Sequence, residues 1–277
     1  MKALIDADVL VYKCGFAAQK NMHHFFAGGS DAASYLCSFD NAKEANAFQQ
    51  DNPDTHKEIE VVAEPVQNAL HNVKLAIERV MDITRADDYV LCISGGGNFR
   101  ELVDSTAVYK GNRIDAPKPV HTQAIKDYMT TRHPHVLAYD IEADDWMGIH
   151  QTEDTIICSI DKDLLMIEGQ HYNLDSTEVV YQDPFSCRYT FVKQLIEGDR
   201  VDNIPGLKGY GGKKAERLLE ETDPGQWWDM IHALYLGQFN DPWVVYEQAY
   251  LLWILRSYEQ IERPIDFRAY TSPETYT

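Results

Sequence analysis

Thiol pairs, long apolar runs and an excess of positive charge are all missing from this chain. Its five cysteines (Cys14, Cys37, Cys92, Cys158, Cys187) are scattered without a CxxC spacing, which removes the usual zinc-ribbon and redox signatures and fits a reducing compartment. No apolar run approaches the length of a membrane span, and Asp6 and Asp8 interrupt the N-terminal segment where a signal peptide would need its apolar core. A cytoplasmic protein without a membrane partner is therefore expected. Lys and Arg number 25 against 44 Asp and Glu, a net charge of −19. That balance excludes binding to nucleic acid through a broad basic surface, so any such contact has to come from local patches. No nucleophile triad stands out, and His23, His24, His133, His135 and His171 show no ligand spacing with cysteine or acid. There is no internal repeat.

What is present is enough apolar material for a real core: 44% of 277 residues, one large domain or two tightly joined. Ala3-Leu4-Ile5 running on into Val9-Leu10-Val11-Tyr12, Tyr89–Ile93, Val136–Tyr139 and Thr155–Ile160 are nearly continuous apolar runs and read as buried strands. After Pro65, the residues Val66, Leu70, Val73, Ile77 and Val80 keep helical spacing, and the chain beyond about Tyr189 reads as mostly helical. Strands alternating with helices indicate an α/β fold with a mainly parallel sheet flanked by helices. Residues 20–64 are polar, with turn signals at Gly28-Gly29-Ser30 and Asp51-Asn52-Pro53-Asp54. They read as an irregular insertion of low functional content.

Nine carboxylates gather in four short clusters: Asp6 and Asp8, Glu142 with Asp144 and Asp145, Asp161 and Asp163, and Asp199 and Asp202. Asp6, Glu142 and Asp161 each follow a strand-like run, and in parallel sheets sites form outside the carboxyl ends of strands. Each cluster alone has a plain reading, since acids favour helix caps, first helical turns and tight turns. Brought together they would repel one another, and hard divalent cations, which prefer oxygen ligands, would relieve that repulsion. Two-metal phosphoryl transfer needs such a set, holding two ions about 4 Å apart.

Basic residues are few and local. Lys110 and Arg113, in Tyr109-Lys110-Gly111-Asn112-Arg113, are candidates to touch a scissile phosphate; Arg100 and Lys118 would extend that patch, and Tyr109 is placed to stack on a base or to pack. The run Gly206-Leu207-Lys208-Gly209-Tyr210-Gly211-Gly212 lets backbone N–H groups approach phosphates. Lys213, Lys214 and Arg217 follow at a helix start, where the helix dipole disfavours them, so a phosphate partner explains them better than the helix does.

Gly198-Asp199-Arg200-Val201-Asp202-Asn203-Ile204-Pro205-Gly206, leading into Gly209–Ala215, resembles the helix–three-turn–helix segment of the 5′-nuclease (flap endonuclease) superfamily. The Glu142–Asp145, Asp161–Asp163 and Tyr109–Arg113 motifs resemble its other signatures in the same order, most nearly in bacteriophage 5′→3′ exonucleases. The resemblance covers roughly 1–10 and 89–219. It implies a PIN-like nuclease domain over 1–188, with the insertion at about 20–64 and a helical arch at about 99–121, followed by a helical DNA-binding subdomain over 189–277. It implies a first metal region of Asp6, Glu142, Asp144, Asp161 and Asp145, and a second served by Asp163, Asp199 and Asp202. Lys110 and Arg113 would be the catalytic cations. Arg100, Tyr109, Lys118, Lys193, Gly206, Lys208, Gly209, Gly211, Gly212, Lys213, Lys214 and Arg217 would contact DNA. Two Mg²⁺ (or Mn²⁺) ions, and K⁺ at the Gly206–Gly212 hairpin, are the implied cofactors. One departure stands out: the family places an aspartate after the strand that here runs into Ser94-Gly95-Gly96-Gly97, with Asp8 as a substitute.

The expected function is a Mg²⁺-dependent 5′→3′ exonuclease and flap endonuclease, monomeric, acting on DNA 5′ ends or flaps beside a replication protein. Three rivals stand beside it. A PIN-type ribonuclease has no need of the Gly206–Lys214 hairpin. A DNA-binding relic of the family would follow from Gly95. A haloacid-dehalogenase-like phosphatase would use Asp6 as a covalent nucleophile, since Asp6-x-Asp8 after a first strand fits that pattern as well.

Overall fold

The computed structural model describes residues 1–27, 34–103, 105–113 and 116–271; the Gly28-Gly29-Ser30 turn signal lies outside them. In chain order the elements are β1 (Lys2–Asp6), α1 (Ala7–Ala17), β2 (Gln19–Ala27), β3 (Ser34–Phe39), α2 (Ala42–Asp51), β4 (His56–Ala63), α3 (Val66–Thr84), β5 (Asp88–Gly96), α4 (Thr122–Arg132), β6 (His135–Tyr139), α5 (Ala143–His150), β7 (Thr155–Ser159), β8 (Gly169–Asn173), β9 (Val179–Gln182), α6 (Pro184–Glu197), α7 (Gly212–Glu221), α8 (Trp227–Phe239), α9 (Val244–Leu252) and α10 (Phe267–Thr271). The chain divides into two compact units. One holds 1–8, 79–117 and 133–277, the other 9–78 and 118–132.

The first unit is built on a six-stranded sheet of order β6-β5-β1-β7-β8-β9. All neighbours are parallel except β8 and β9, as expected for strands whose apolar runs are buried on both faces. β1 is central, and Leu4, Ile5, Leu91, Cys92, Ile93, Ile156, Ile157 and Cys158 are all buried. The strand order steps outward from β1 in both directions, so the carboxyl ends of β5, β1 and β7 open at a topological switch point. Beyond the sheet, α6, α8 and α9 close a core rich in aromatic residues: Phe191 packs edge-on to Trp253 and stacks on Phe267.

The second unit corrects the reading of 20–64. Far from irregular, it holds an antiparallel sheet of order β3-β2-β4 with α2 against it, and Phe25 packs between Phe39 and Phe48. The alternation was hidden because much of this small sheet stays open, leaving Tyr35, Ile59 and Val61 exposed. A second correction concerns Val9–Tyr12, which continues α1 instead of a strand. A continuous apolar run cannot distinguish a buried helix from a buried strand. Within the expected arch, the described residues form two short 3₁₀ turns, Phe99–Leu102 and Gly111–Arg113, with no α-helix. Among the described residues no helix is long and apolar enough to cross a membrane.

One packing constraint is severe. A Cβ on Gly148 of α5 would lie 2.5 Å from the Leu255 carbonyl oxygen and 2.8 Å from the Ile254 side chain. Gly148→Ala should therefore lower stability by about 1–3 kcal/mol through overpacking, read as a lower urea midpoint at unchanged m-value.

Candidate active site

Asp6 closes β1 and is buried, and the Ser159 hydroxyl at the end of β7 donates to its Oδ2 at 2.7 Å. That hydroxyl also accepts the Asp161 N–H at 3.0 Å, so one serine orients the acids of two strand ends. Asp8, one residue into α1, accepts the Ser94 N–H at 2.9 Å and thus reaches the end of β5. The glycine run at that end has a steric cause. Gly95 sits in a bulge against β6, and a Cβ there would come within 2.9 Å of the Ala138 carbonyl oxygen and of the Tyr139 ring. No side chain fits at Gly95 without movement of β6.

Glu142 is the N-cap of α5, and Asp144 follows in its first turn. Burial and the charges of Asp6, Asp161 and Glu142 push the Asp144 carboxyl well above the usual carboxylate range. Those four acids therefore share one crowded space. Asp163 forms a second focus: burial and Asp161 push its carboxyl up to about 7. Its Oδ1 is buried and accepts no hydrogen bond. Asp199 lies at the end of α6. Although burial opposes it, the N–H groups of Asp202 and Val201 and the Lys162 ammonium hold its carboxyl below the usual range.

Protein cations stand between these acids. Lys110 bonds to Glu142 and lies 3.7 Å from Asp202, Arg113 pairs with Asp202, and Lys162 lies 3.3 Å from Asp199 and 3.7 Å from Asp163. Against the cost of burial, Lys110 and Arg100 hold the Glu142 carboxyl below its usual range. The segment carrying Lys110 and Arg113 is fastened to the acidic loop of residues 200–203. Lys110 N–H donates to the Asp202 carbonyl at 2.9 Å, Arg113 Nε to that of Val201 at 2.9 Å and Asn112 to that of Arg200 at 2.7 Å, while the Asn203 amide returns to Val108 at 2.9 Å.

Three expected site residues belong elsewhere. Asp145 is fully buried: Oδ2 accepts Arg100 Nη1 at 2.6 Å and Glu142 N–H at 3.1 Å, and Oδ1 accepts Arg100 Nη2 at 2.7 Å and Leu255 N–H at 3.0 Å. Its lone pairs are used, so it is an internal clamp and not an open metal ligand. Arg100, expected on DNA, is the buried partner of that clamp and also donates to the carbonyls of Leu251 and Trp253. Tyr109, expected to stack on a base, is buried, and its hydroxyl lies 2.9 Å from Glu142 and 3.1 Å from Asp202, its one proton shared between them.

The hairpin divides in two. Gly206 is buried, its N–H taken by Gln248 at 2.8 Å, so it serves the fold and offers nothing to a phosphate. Lys208, Gly209, Gly211, Gly212, Lys213 and Lys214 are exposed. A Cβ on Gly211, the N-cap of α7, would meet nothing within 4 Å, and its φ of −80° suits any residue; nothing inside the protein calls for glycine there. Lys193 is partly buried between Glu197 and Glu216, and Arg217 pairs with Glu221. Lys118 is exposed and belongs to the second unit.

The donor set fits hard divalent cations: it is all oxygen, mutually repelling, and includes an orphaned buried carboxylate oxygen. Among the described residues, however, no three acids, imidazoles or thiols already converge as a finished cage; Lys110, Arg113 and Lys162 neutralise the acids instead. Ser159, Lys162 and Gln194, whose amide donates to Asp199 Oδ2 at 3.2 Å, carry no spacing signal that the sequence could show.

No protein-family model matches the chain. The chain is 31% identical over 162 residues to DNA polymerase I of Chloroflexus aurantiacus and 26% identical over 178 residues to that of Streptococcus pneumoniae, covering 50% and 56% of this chain but only 17% and 20% of those proteins. It thus spans about a fifth of the length of these relatives. Its fold matches T5 5′-exonuclease with bound divalent metal ions (zinc) at a TM-score of 0.56 and 14% identity, covering 99% of this chain and 95% of that one. A point mutant of the same T5 enzyme gives 0.55, with 99% and 93% covered.

Two predictions follow from the charges. Asp145→Asn removes the bidentate partner of the buried Arg100, leaving it only Glu142 at 3.6 Å, and should cost about 3–5 kcal/mol, measured by urea unfolding. Asp163 holds its proton to about 7 in the fold against an ordinary 3.8, so its contribution to stability is complete below the unfolded value and is lost as pH rises through the folded one. In EDTA the melting temperature should fall between about pH 5 and pH 8, and Asp163→Asn should flatten that fall.

Proposed function

We propose that this chain, which fits the 5′-nuclease superfamily in fold and sequence, is a divalent-metal-dependent 5′→3′ exonuclease that also cuts 5′ flaps on DNA. One observation carries the reading: Asp6, Glu142, Asp144 and Asp161 crowd together at strand ends, beside a second group of Asp163, Asp199 and Asp202 and the cations Lys110 and Arg113. On this reading the first group holds one Mg²⁺ (or Mn²⁺) and the second group another, directly or through water. Bound there, such ions would polarise the scissile phosphodiester and ease deprotonation of an attacking water. The chain's own residues do the rest. Ser159 fixes Asp6 and Asp161. Lys110 and Arg113 exchange Glu142 and Asp202 for the phosphate, where positive charge stabilises the charge that develops in the transition state.

The exposed part of the hairpin, from Lys208 to Lys214, would grip the duplex backbone, with K⁺ on its carbonyls and the bare Gly211 allowing close approach. Residues 1–188 would then be the nuclease part and 189–277 the DNA-binding part. DNA 5′ ends, a monomeric state, cytoplasmic residence and a replication protein as partner complete the reading.

The steric closure of Gly95 favours one second reading, a DNA-binding relic with weakened metal binding. Against it, Asp8 brings a carboxylate to the same strand end. The phosphatase reading is disfavoured because a covalent aspartyl nucleophile needs an open face, and Asp6 is buried beneath Ser159.

Cleavage of 5′-flapped and blunt duplexes in Mg²⁺ and in EDTA tests the proposal. Release of short 5′ products should require the metal. Asp161→Asn should cut it about a thousandfold or more, the several kcal/mol a metal site supplies, with duplex binding kept. Tight binding without cutting by the unaltered protein would favour the relic. Lys213→Ala should lower the slope of log K against log salt by about one; an unchanged slope would remove the hairpin from the interface.

A further inference from the structure

Two side chains from the C-terminal helices bond the backbone of the hairpin, and a third supports one of them. Gln248 of α9 is completely buried, and its Oε1 accepts both the Gly206 N–H at 2.8 Å and the Tyr235 hydroxyl at 3.0 Å. That hydroxyl, on α8, also lies 2.6 Å from the Leu195 carbonyl of α6, so its single proton is shared between the two acceptors. One turn beyond Tyr235, Gln238 accepts the Lys208 N–H at 2.7 Å. The hairpin has little freedom on its other side. Gly206 lies at φ +65°, and a Cβ on it would fall 2.3 Å from the Gly198 nitrogen. Leu207 N–H donates to Ile196 at 2.8 Å. Both N–H groups that flank Leu207 are therefore taken by glutamine side chains, while Gly209 and Gly211 beyond them face open space.

A buried amide spent on one backbone N–H is costly unless the position it fixes matters, because burying polar groups gains little net stability. We propose that Gln248 and Gln238 are positioning residues for duplex recognition. They fix Gly206 and Lys208, so that the exposed turn from Lys208 to Gly212 meets the phosphate backbone already shaped. Tyr235 carries the same restraint back to α6, the helix that leads through Gly198 into Asp199, tying the duplex grip to the second acidic group. The inference rests on the nuclease reading above for the identity of the ligand as duplex DNA. Its physical content is preorganisation: ordering a loop before binding removes the cost of ordering it during binding.

Backbone hydrogen exchange and duplex binding, both on the full chain, test it. Gln238→Ala alters an exposed side chain and should fold normally; Gln248→Leu removes the buried acceptor; Gln248→Glu keeps an oxygen for Gly206 and serves as rescue. In DNA-free protein, exchange should quicken at Lys208 in Gln238→Ala and at Gly206 in Gln248→Leu. Duplex affinity in Ca²⁺ should fall about tenfold in each, the loss of one hydrogen-bonded restraint. In cleavage assays KM should rise with kcat little changed, which general destabilisation would not produce. Gln248→Glu should recover most of the affinity. Unchanged exchange at Gly206 and Lys208 would overturn the latch. Quickened exchange with wild-type affinity in Gln238→Ala would overturn its role in recognition. If the unaltered protein binds no duplex, the nuclease reading itself falls and takes this inference with it, an outcome distinct from equal binding by wild type and variants.

Discussion

Electrostatic crowding governs this molecule. A parallel sheet delivers Asp6 and Asp161 to the ends of the neighbouring strands β1 and β7 and Glu142 to the end of β6, one strand removed from β1, and Asp144, Asp163, Asp199 and Asp202 complete a space in which so many negative charges cannot stand unrelieved. The fold relieves them in two ways. Asp144 and Asp163 keep protons to unusually high pH, and Lys110, Arg113 and Lys162 lie among the rest. Divalent cations would replace both devices at once, which is why the cation-free arrangement and the proposed working arrangement are built from the same residues.

The outlines of this arrangement were legible because strand ends are legible. Asp6 and Asp161 follow runs too apolar to be anything but buried, and Glu142 opens a helix whose cap and first turn are acidic. The fold class followed from the same runs. What stayed hidden shares one cause: sequence records charge but not which way it faces. Arg100 and Lys110 look alike on the page, yet one is locked inside against Asp145 and the other reaches the acids. Asp145 and Asp144 are adjacent and differ by a rotation of about 100° around α5, enough to separate a clamp from a candidate ligand. Val9–Tyr12 misled for a related reason: the run is apolar throughout even though Tyr12 faces outward, so it shows no period.

Gly95 shows the converse. Its lack of a side chain, an anomaly beside the family pattern, has a local cause in the bulge against β6 and the nearby Tyr139 ring. Asp8 reaches the same strand end from α1, a proximity that spacing alone could not display.

The seam between residues 108–113 and 200–203 has a mechanical consequence. Four hydrogen bonds run across it, with donors from both sides, and one of them, from the Lys110 N–H to the Asp202 carbonyl, joins backbone to backbone. Lys110 therefore keeps its backbone beside Asp202 while its ammonium changes partner, whereas Arg113 leaves Asp202 only by also releasing the Val201 carbonyl. A group that must change partners while its backbone stays fixed does so by rotating its side chain, which for Lys110 is a matter of a few flexible bonds. The seam thus holds its two cations unequally: Lys110 through its backbone, Arg113 through the side chain that carries its charge.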